Sequence, residues 1–218
     1  MDTNKVLESL KKLRESGKKR NFKQSIDFAM ILKEVDLNSV EGKIDEFYVL
    51  PVGTTRKNKI CAFVDKDMTT EARKVFDKVI PKDEFHQWAG NKKGIKALVK
   101  QYDYFVAQGT IMTDVAATFG KVLGPKGKMP NPKAGCVIPP KIDFNNLKHR
   151  LENTIRIRAN KQPVISVMVG SEEAKDEDIA KNIMSVYDFI KKKLPRGDQQ
   201  IKKTYVKMTM SEPVYMGI

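Results

Sequence analysis

From Leu123 to Lys133 the chain reads Leu-Gly-Pro-Lys-Gly-Lys-Met-Pro-Asn-Pro-Lys, a stretch whose glycines and lysines invite comparison with a phosphate-gripping loop. A nucleotide hydrolase needs Gly-x-x-x-x-Gly-Lys followed by Ser or Thr, because the backbone cradles the phosphates while the hydroxyl holds magnesium. Here Val122 stands five residues before Gly127, and Met129 stands where the hydroxyl belongs. The hydrolase reading fails at both positions. Gly124, Lys126, Gly127, Lys128, Met129 and Pro130, followed by Lys133, suit a different chemistry, in which backbone NH groups and cations are offered to an anionic backbone. For the loop taken alone, the plainer alternative is a stiff, exposed connector.

Two further basic segments, Lys18 to Lys23 and Lys191 to Lys207, lie at opposite ends of the chain. Most charge runs are solvated faces. Each of these, however, borders a strand pattern that is polar on one side, so if the two ends share a sheet both sets of charge flank one surface. Phe22 supplies an apolar contact there, and Ser25, Thr209 and Ser211 supply hydroxyls. That combination fits the groove and the 2′-hydroxyls of folded RNA.

No serine, cysteine or carboxylate pair is spaced so as to activate a nucleophile or a water, and an enzyme reading has no residue to rest on. Cys61 and Cys136 stand alone, with neither a Cys-x-x-Cys pair nor clustered histidines, and read as small buried thiols. His86 and His149 are likewise solitary and read as surface or satisfied residues. Neither cofactor nor metal is expected.

With 41 Lys and Arg against 27 Asp and Glu, the 218 residues carry a formal charge of +14. Such an excess makes a field that attracts polyanions, either nucleic acid or an anionic membrane. No apolar run approaches the roughly 18 to 20 residues that span a bilayer. The opening Met1, Asp2, Thr3 and Asn4 lacks the apolar core of a signal peptide, so a cytoplasmic protein with a nucleic-acid partner and no membrane is expected. Hydrophobic residues make up 40% of the chain, enough to build a core.

The elements that must position these residues follow from periodicity. Val6, Leu7, Leu10 and Leu13 give a helix from Thr3 to Ser16 one apolar face, and Gly17 ends it. From Gln24 to Lys33, Ile26, Phe28, Met30 and Leu32 alternate with Ser25, Asp27, Ala29 and Ile31, as in a strand with one buried face. After an apolar run from Phe47 to Val52, the middle alternates between strand and helix: a strand at Ile60 to Val64, a helix at Glu71 to Ile80, a helix at Lys92 to Val99, a strand at Tyr104 to Ala107 and a helix at Ile111 to Leu123. Strands separated by helices of about 10 to 15 residues imply βαβ units and a parallel sheet. Asp143 caps a helix through Leu151. Ile155 to Arg158 alternates, Val164 to Val169 reads as a buried strand, and the acidic residues Asp176, Glu177 and Asp178 open a helix to Leu194. A last strand, Ile201 to Met210, places Thr204, Val206, Met208 and Met210 on one face. The two ends are β with a flanking helix and the middle is α/β, an order that suggests an inserted domain.

On these residues the chain resembles the large-subunit ribosomal protein one family, of archaeal type. The loop from Leu123 to Lys133 carries the resemblance, with Phe22 entering the first strand and Thr209-Met210 in the last. The resemblance covers essentially the whole chain. It implies an α/β fold of two domains: an α+β split-βαβ domain made of residues 1–58 and 153–218 that binds RNA, and an inserted Rossmann-like three-layer domain of residues 59–152. It also implies a protein of the mobile stalk beside the tRNA exit site of the large ribosomal subunit. There it would bind ribosomal RNA, assist release of deacylated tRNA, and repress its own messenger through a site in the leader or coding region. Free of RNA it would be a monomer.

Carried over by position, Phe22, Lys23, Ser25, Arg158, Lys161, Ser166, Lys207, Thr209, Met210 and Ser211 line the RNA surface. The sequence departs from the family pattern at two of these places. Ser211 stands where the family commonly has glycine, where a side chain could crowd a close backbone approach, and Asn21 stands where a lysine is common, so that one phosphate contact is either lost or moved to Lys23. A nucleotide-binding enzyme built on the middle domain and a general nucleic-acid chaperone are the alternatives from other classes.

Overall fold

The computed structural model describes residues 2–18, 20–36, 42–54, 57–139, 142–159 and 162–217. In chain order the elements are α1 (Thr3–Ser16), β1 (Ser25–Leu32), β2 (Ile44–Val49), β3 (Ile60–Val64), α2 (Lys66–Val75), β4 (Lys78–Pro81), α3 (Phe85–Trp88), α4 (Lys92–Gln101), β5 (Tyr104–Gln108), α5 (Met112–Leu123), β6 (Val137–Ile138), α6 (Phe144–Glu152), β7 (Thr154–Ala159), β8 (Val164–Ser171), α7 (Asp176–Lys193), β9 (Ile201–Met208) and β10 (Val214–Tyr215). Two compact units result, one from Met1–Arg56 with Asn153–Ile218, the other from Lys57–Glu152. The fold is α/β, with antiparallel pairing in the first unit and parallel pairing in the second.

In the first unit β1 lies at the centre of a sheet ordered β10-β9-β1-β8. The alternation in its sequence sorts its side chains by face: Ile26, Phe28 and Met30 are fully buried, whereas Ser25, Asp27, Ala29 and Ile31 stay partly exposed. The buried face packs on Val6, Leu10 and Leu13 of α1 and on Ile179, Ile183, Val186 and Ile190 of α7. Arg14 ties the two helices together, its guanidinium donating to Asp176 Oδ1 and to the carbonyls of Glu172 and Ala174, each at 2.7 Å. A second antiparallel ladder joins β2 to β7. Buried Asn182 pins the segment after β2, exchanging bonds with the Val52 backbone at 2.9 and 3.1 Å and donating to the Val169 carbonyl.

In the second unit the parallel sheet runs β4-β3-β5-β6. All five residues of β3 are buried, the pattern of a central strand covered on both faces. Phe63 packs on Phe85, Phe105 and Phe119, with ring centroids 4.7 to 5.9 Å apart, on the side of α3, α4 and α5. Phe76 and Phe144 meet edge to face at 5.6 Å between α2 and α6.

Two expectations need correction. The helix expected from Glu71 to Ile80 ends at Val75, and Lys78–Pro81 forms edge strand β4 instead. Asp65 caps the helix five residues earlier, Asp77 accepts from the Ile60 NH at 2.8 Å, and Val79 and Ile80 are β-branched residues held in a parallel ladder with β3. The apolar run from Phe47 to Val52 contributes only its first three residues to a strand, β2, which begins at Ile44 and ends at Val49, because its partner β7 sets the pairing. The last strand stops at Met208, not Met210. Beyond it the NH groups of Thr209 and Met210 turn to the Ser25 carbonyl and to Gln24 Oε1, so Met210 leaves the buried row of Thr204, Val206 and Met208 and is 60% exposed.

Candidate nucleic-acid interface

The face of the four-stranded sheet that no helix covers is built row by row from register. Asp27 lies between Met168 on β8 and Lys207 on β9; Ala29 lies between Ser166 and Tyr205, with Tyr215 of β10 beside them; Ile31 lies between Val164 and Lys203. Tyr205 and Tyr215 meet edge to face at 5.7 Å. At the upper rim Thr209 crosses to β1. Its Oγ1 accepts from the Ser25 NH at 3.2 Å and shares a 3.0 Å hydrogen bond with the Ser25 hydroxyl, and its own NH donates to the Ser25 carbonyl.

Gln24, 98% buried, holds this rim together. Its amide nitrogen donates to the Lys18 carbonyl, its oxygen accepts from the Met210 NH, and its carbonyl accepts from the Glu172 NH. One residue, through its side-chain amide and its backbone carbonyl, thereby fixes the segments that follow α1, β8 and β9.

Large apolar side chains in water are informative only when they gather. Among the described residues those exposed are Phe22, Val49, Val164, Met210 and Tyr215; Val164 and Tyr215 lie on this face, Met210 lies at its rim, and Phe22 stands three residues before β1. Burial raises the Asp27 carboxyl above its ordinary value, while Lys207 in the next strand pulls it back. The surface thus mixes cations, hydroxyls, aromatic edges and the Asp27 carboxyl.

Ser25, Ser166, Lys207, Thr209 and Met210 all come to this face or rim, and Phe22 is exposed just before β1. Lys23 reaches the rim too, where its ammonium pairs with Glu173 at 2.9 Å. Arg158 belongs to the β2–β7 ladder, opposite Asp45, rather than to the four-stranded face. Lys161 lies outside the described residues. The Ser211 hydroxyl turns back on its own chain, accepting from the Met208 NH at 2.9 Å and donating to the Glu212 carbonyl.

The glycine-rich loop belongs to the second unit, and several of its donors point inward. The NH groups of Gly124, Gly127 and Lys128 bond to the carbonyls of Gly120, Gly124 and Leu123. The Lys128 ammonium donates to the carbonyls of Val99 and Tyr102 at 2.9 and 2.7 Å, closing the end of α4. Gly127 sits at φ 64°, a conformation that favours glycine, Met129 packs on the core and Pro130 is buried. Lys126 stays exposed. The expectation that the loop offers its NH groups to an anion is not met at these positions, since a tight turn has already consumed them.

Sequence reasoning passed over Gln24, Asp27, Tyr205 and Tyr215 as site residues. The β1 alternation placed Asp27 on the open row, and the same parity along β9 places Tyr205. Nothing local marks Gln24 or Tyr215, whose roles depend on partners about 190 and 10 residues away.

Burial pushes the Cys61 thiol up to about 12 and the Cys136 thiol to about 11, which leaves both protonated and inert. His86 and His149 are exposed. Among the described residues no three His, Cys, Asp or Glu are grouped to hold a metal ion, and no helix is long and apolar enough to cross a membrane.

Comparison with known families matches residues 10–212 to the model of the ribosomal protein L1p/L10e family. The chain belongs to that family. It is a family of structural ribosomal proteins, not of enzymes. The large ribosomal subunit protein uL1 of Methanothermobacter thermautotrophicus is 38% identical over 210 residues, 96% of this chain and 97% of the relative. Its counterpart from Methanothermococcus thermolithotrophicus is 36% identical over 213 residues, 98% of each chain. That of Pyrobaculum calidifontis is 37% identical over 210 residues, 96% of this chain and 91% of the relative. All three relatives are archaeal, in keeping with the type suggested by the sequence.

Proposed function

We propose that this L1-family chain serves in the large ribosomal subunit, at the mobile stalk, gripping ribosomal RNA with the uncovered face of its antiparallel sheet. The observation that carries the reading is the gathering on one face of Ser25 and Asp27 from β1, Ser166 from β8, and Lys203, Tyr205 and Lys207 from β9, with Thr209 and Met210 at its rim. Segments about 180 residues apart in the chain meet there. Lysine contacts to phosphate supply affinity, and hydroxyl and aromatic contacts supply selectivity for RNA shape.

On this reading residues 1–58 and 153–218 act as the RNA-binding domain, and residues 59–152 as an inserted domain. The finer functions are movement with the departing exit-site tRNA and repression of the protein's own messenger by an RNA site that imitates the ribosomal one. The family membership and the relatives' place in the large subunit support the first step of this reading.

The test is discrimination. Thr209→Val with Met210→Ala should weaken binding to a large-subunit stalk RNA fragment about tenfold or more, a loss in the range of one or two hydrogen bonds, while binding to random duplex RNA hardly changes. Equal losses on both RNAs in a fluorescence titration would place the specific surface elsewhere.

A further inference from the structure

A cavity of about 440 Å³ opens at the rim of the sheet, lined by Lys23, Ser25, Met168, Ser171, Glu173 and Thr209. Ser171 is only 8% exposed, and among the described residues its hydroxyl is the one buried side-chain oxygen or nitrogen without a hydrogen-bond partner. Buried hydroxyls are almost always paired, and one that finds no partner within the chain calls for one from outside it, such as water or a ligand.

The backbone explains how the hydroxyl comes to be there. Ile26 pairs with Gly170 and Asp27 with Met168, so Val169 is an extra residue on β8. This bulge brings Ser171 opposite Ser25 at the cavity, and bulges of this kind commonly re-aim side chains beside functional sites. The position is firmly held, because a Cβ on Gly170 would come within 2.9 Å of Ile179 Cγ1 in the core.

The other polar neighbours are already engaged. Ser25 and Thr209 share a hydrogen bond, Gln24 bonds Lys18 and Met210, and Lys23 pairs with Glu173. An anion finds no unpaired cation here and meets the Glu173 carboxylate. A flat, uncharged group finds an apolar wall in Met168 and a hydrogen-bonding partner in Ser171.

We propose that the cavity receives one unstacked base of the bound RNA, with Met168 against its face and Ser171 Oγ hydrogen-bonded to its edge. The proposal rests on the uncovered sheet face being the RNA platform. It adds to that platform a subsite that selects an RNA with an extruded nucleotide at the right place, since single-stranded and bulged bases are the parts of RNA that proteins read individually.

The experiment compares wild type and Ser171→Ala for thermal stability and for affinity to a synthetic large-subunit stalk RNA fragment. The affinity series then includes fragments that each lack one unpaired nucleotide. The variant should melt at or above the wild-type temperature, because a hydroxyl without a partner has been removed, and should bind the full fragment about five- to tenfold more weakly. Deleting one particular nucleotide should weaken wild type by a similar factor and abolish the difference between the two proteins. Wild-type affinity in Ser171→Ala, a loss that persists with every deletion, or a lowered melting temperature each overturns the subsite. Wild type that fails to bind the full fragment overturns the platform and the subsite with it, an outcome separate from the other three.

Discussion

Thr209 and Asp27 show how single residues on the sheet face answer different demands. The Thr209 hydroxyl closes the junction between the last strand and the first, so its loss affects the shape of the rim as well as any contact made there. Asp27 is a carboxylate on a face otherwise rich in cations. Burial raises its pKa, which means the folded state disfavours the charged form and holds the proton more tightly than the unfolded chain does. The sign follows from linkage: at pH values above the folded pKa the ionised group opposes folding, and the opposition fades as pH falls through that value towards the unfolded one. Asp27→Asn should therefore raise the midpoint of urea unfolding at pH 7. The gain should shrink as the pH is lowered through the acid range, and a gain that grows on acidification would contradict the assigned cause.

At the scale of elements, β1 carries the first unit. It is hydrogen-bonded on both sides and sends Ile26, Phe28 and Met30 into the core between the sheet and its two helices. Phe28→Ala should cost about 3 to 5 kcal/mol, the usual range for emptying a buried phenylalanine site, measured by denaturant unfolding. In the second unit β3 has the corresponding place. Cys61 is fully buried in it and its thiol is pushed up to about 12. Neither Cys61 nor Cys136 should react with a thiol reagent at pH 8 while the protein is folded, and both should react at once in denaturant; rapid labelling of the native protein would show that the strands open.

For the whole molecule, the formal charge of +14 sets the behaviour towards polyanions. If roughly four phosphates are neutralised, affinity for the stalk fragment should fall about a hundredfold between 50 and 200 mM salt, linearly in the logarithms. A flat response would remove phosphate contact from the account. Much of the positive charge nevertheless has local partners: Arg14 holds α7, Arg156 forms a two-pronged pair with Asp45 at 2.7 Å, and Lys128 closes a helix end. Net charge therefore steers association, while the arrangement on one sheet face decides what is bound.

The residue order alone determined most elements and their buried sides. A period of two in Ser25–Leu32 and a stripe in Asp176–Lys193 are local properties, and burial of the apolar set followed them. The family signature in the loop was equally local and identified the family, although the Lys128 ammonium and the NH groups of Gly124, Gly127 and Lys128 bond to carbonyls of the fold itself. Only the tertiary structure decided that Val79 and Ile80 extend as an edge strand, that β9 lies beside β1, that a bulge turns Ser171 to the rim, and that Gln24 joins three distant segments. The reason is physical. Periodicity records which side of an element avoids water, but the choice of neighbour and register comes from packing and hydrogen-bond partners far away in the chain, and no short window of residues contains them.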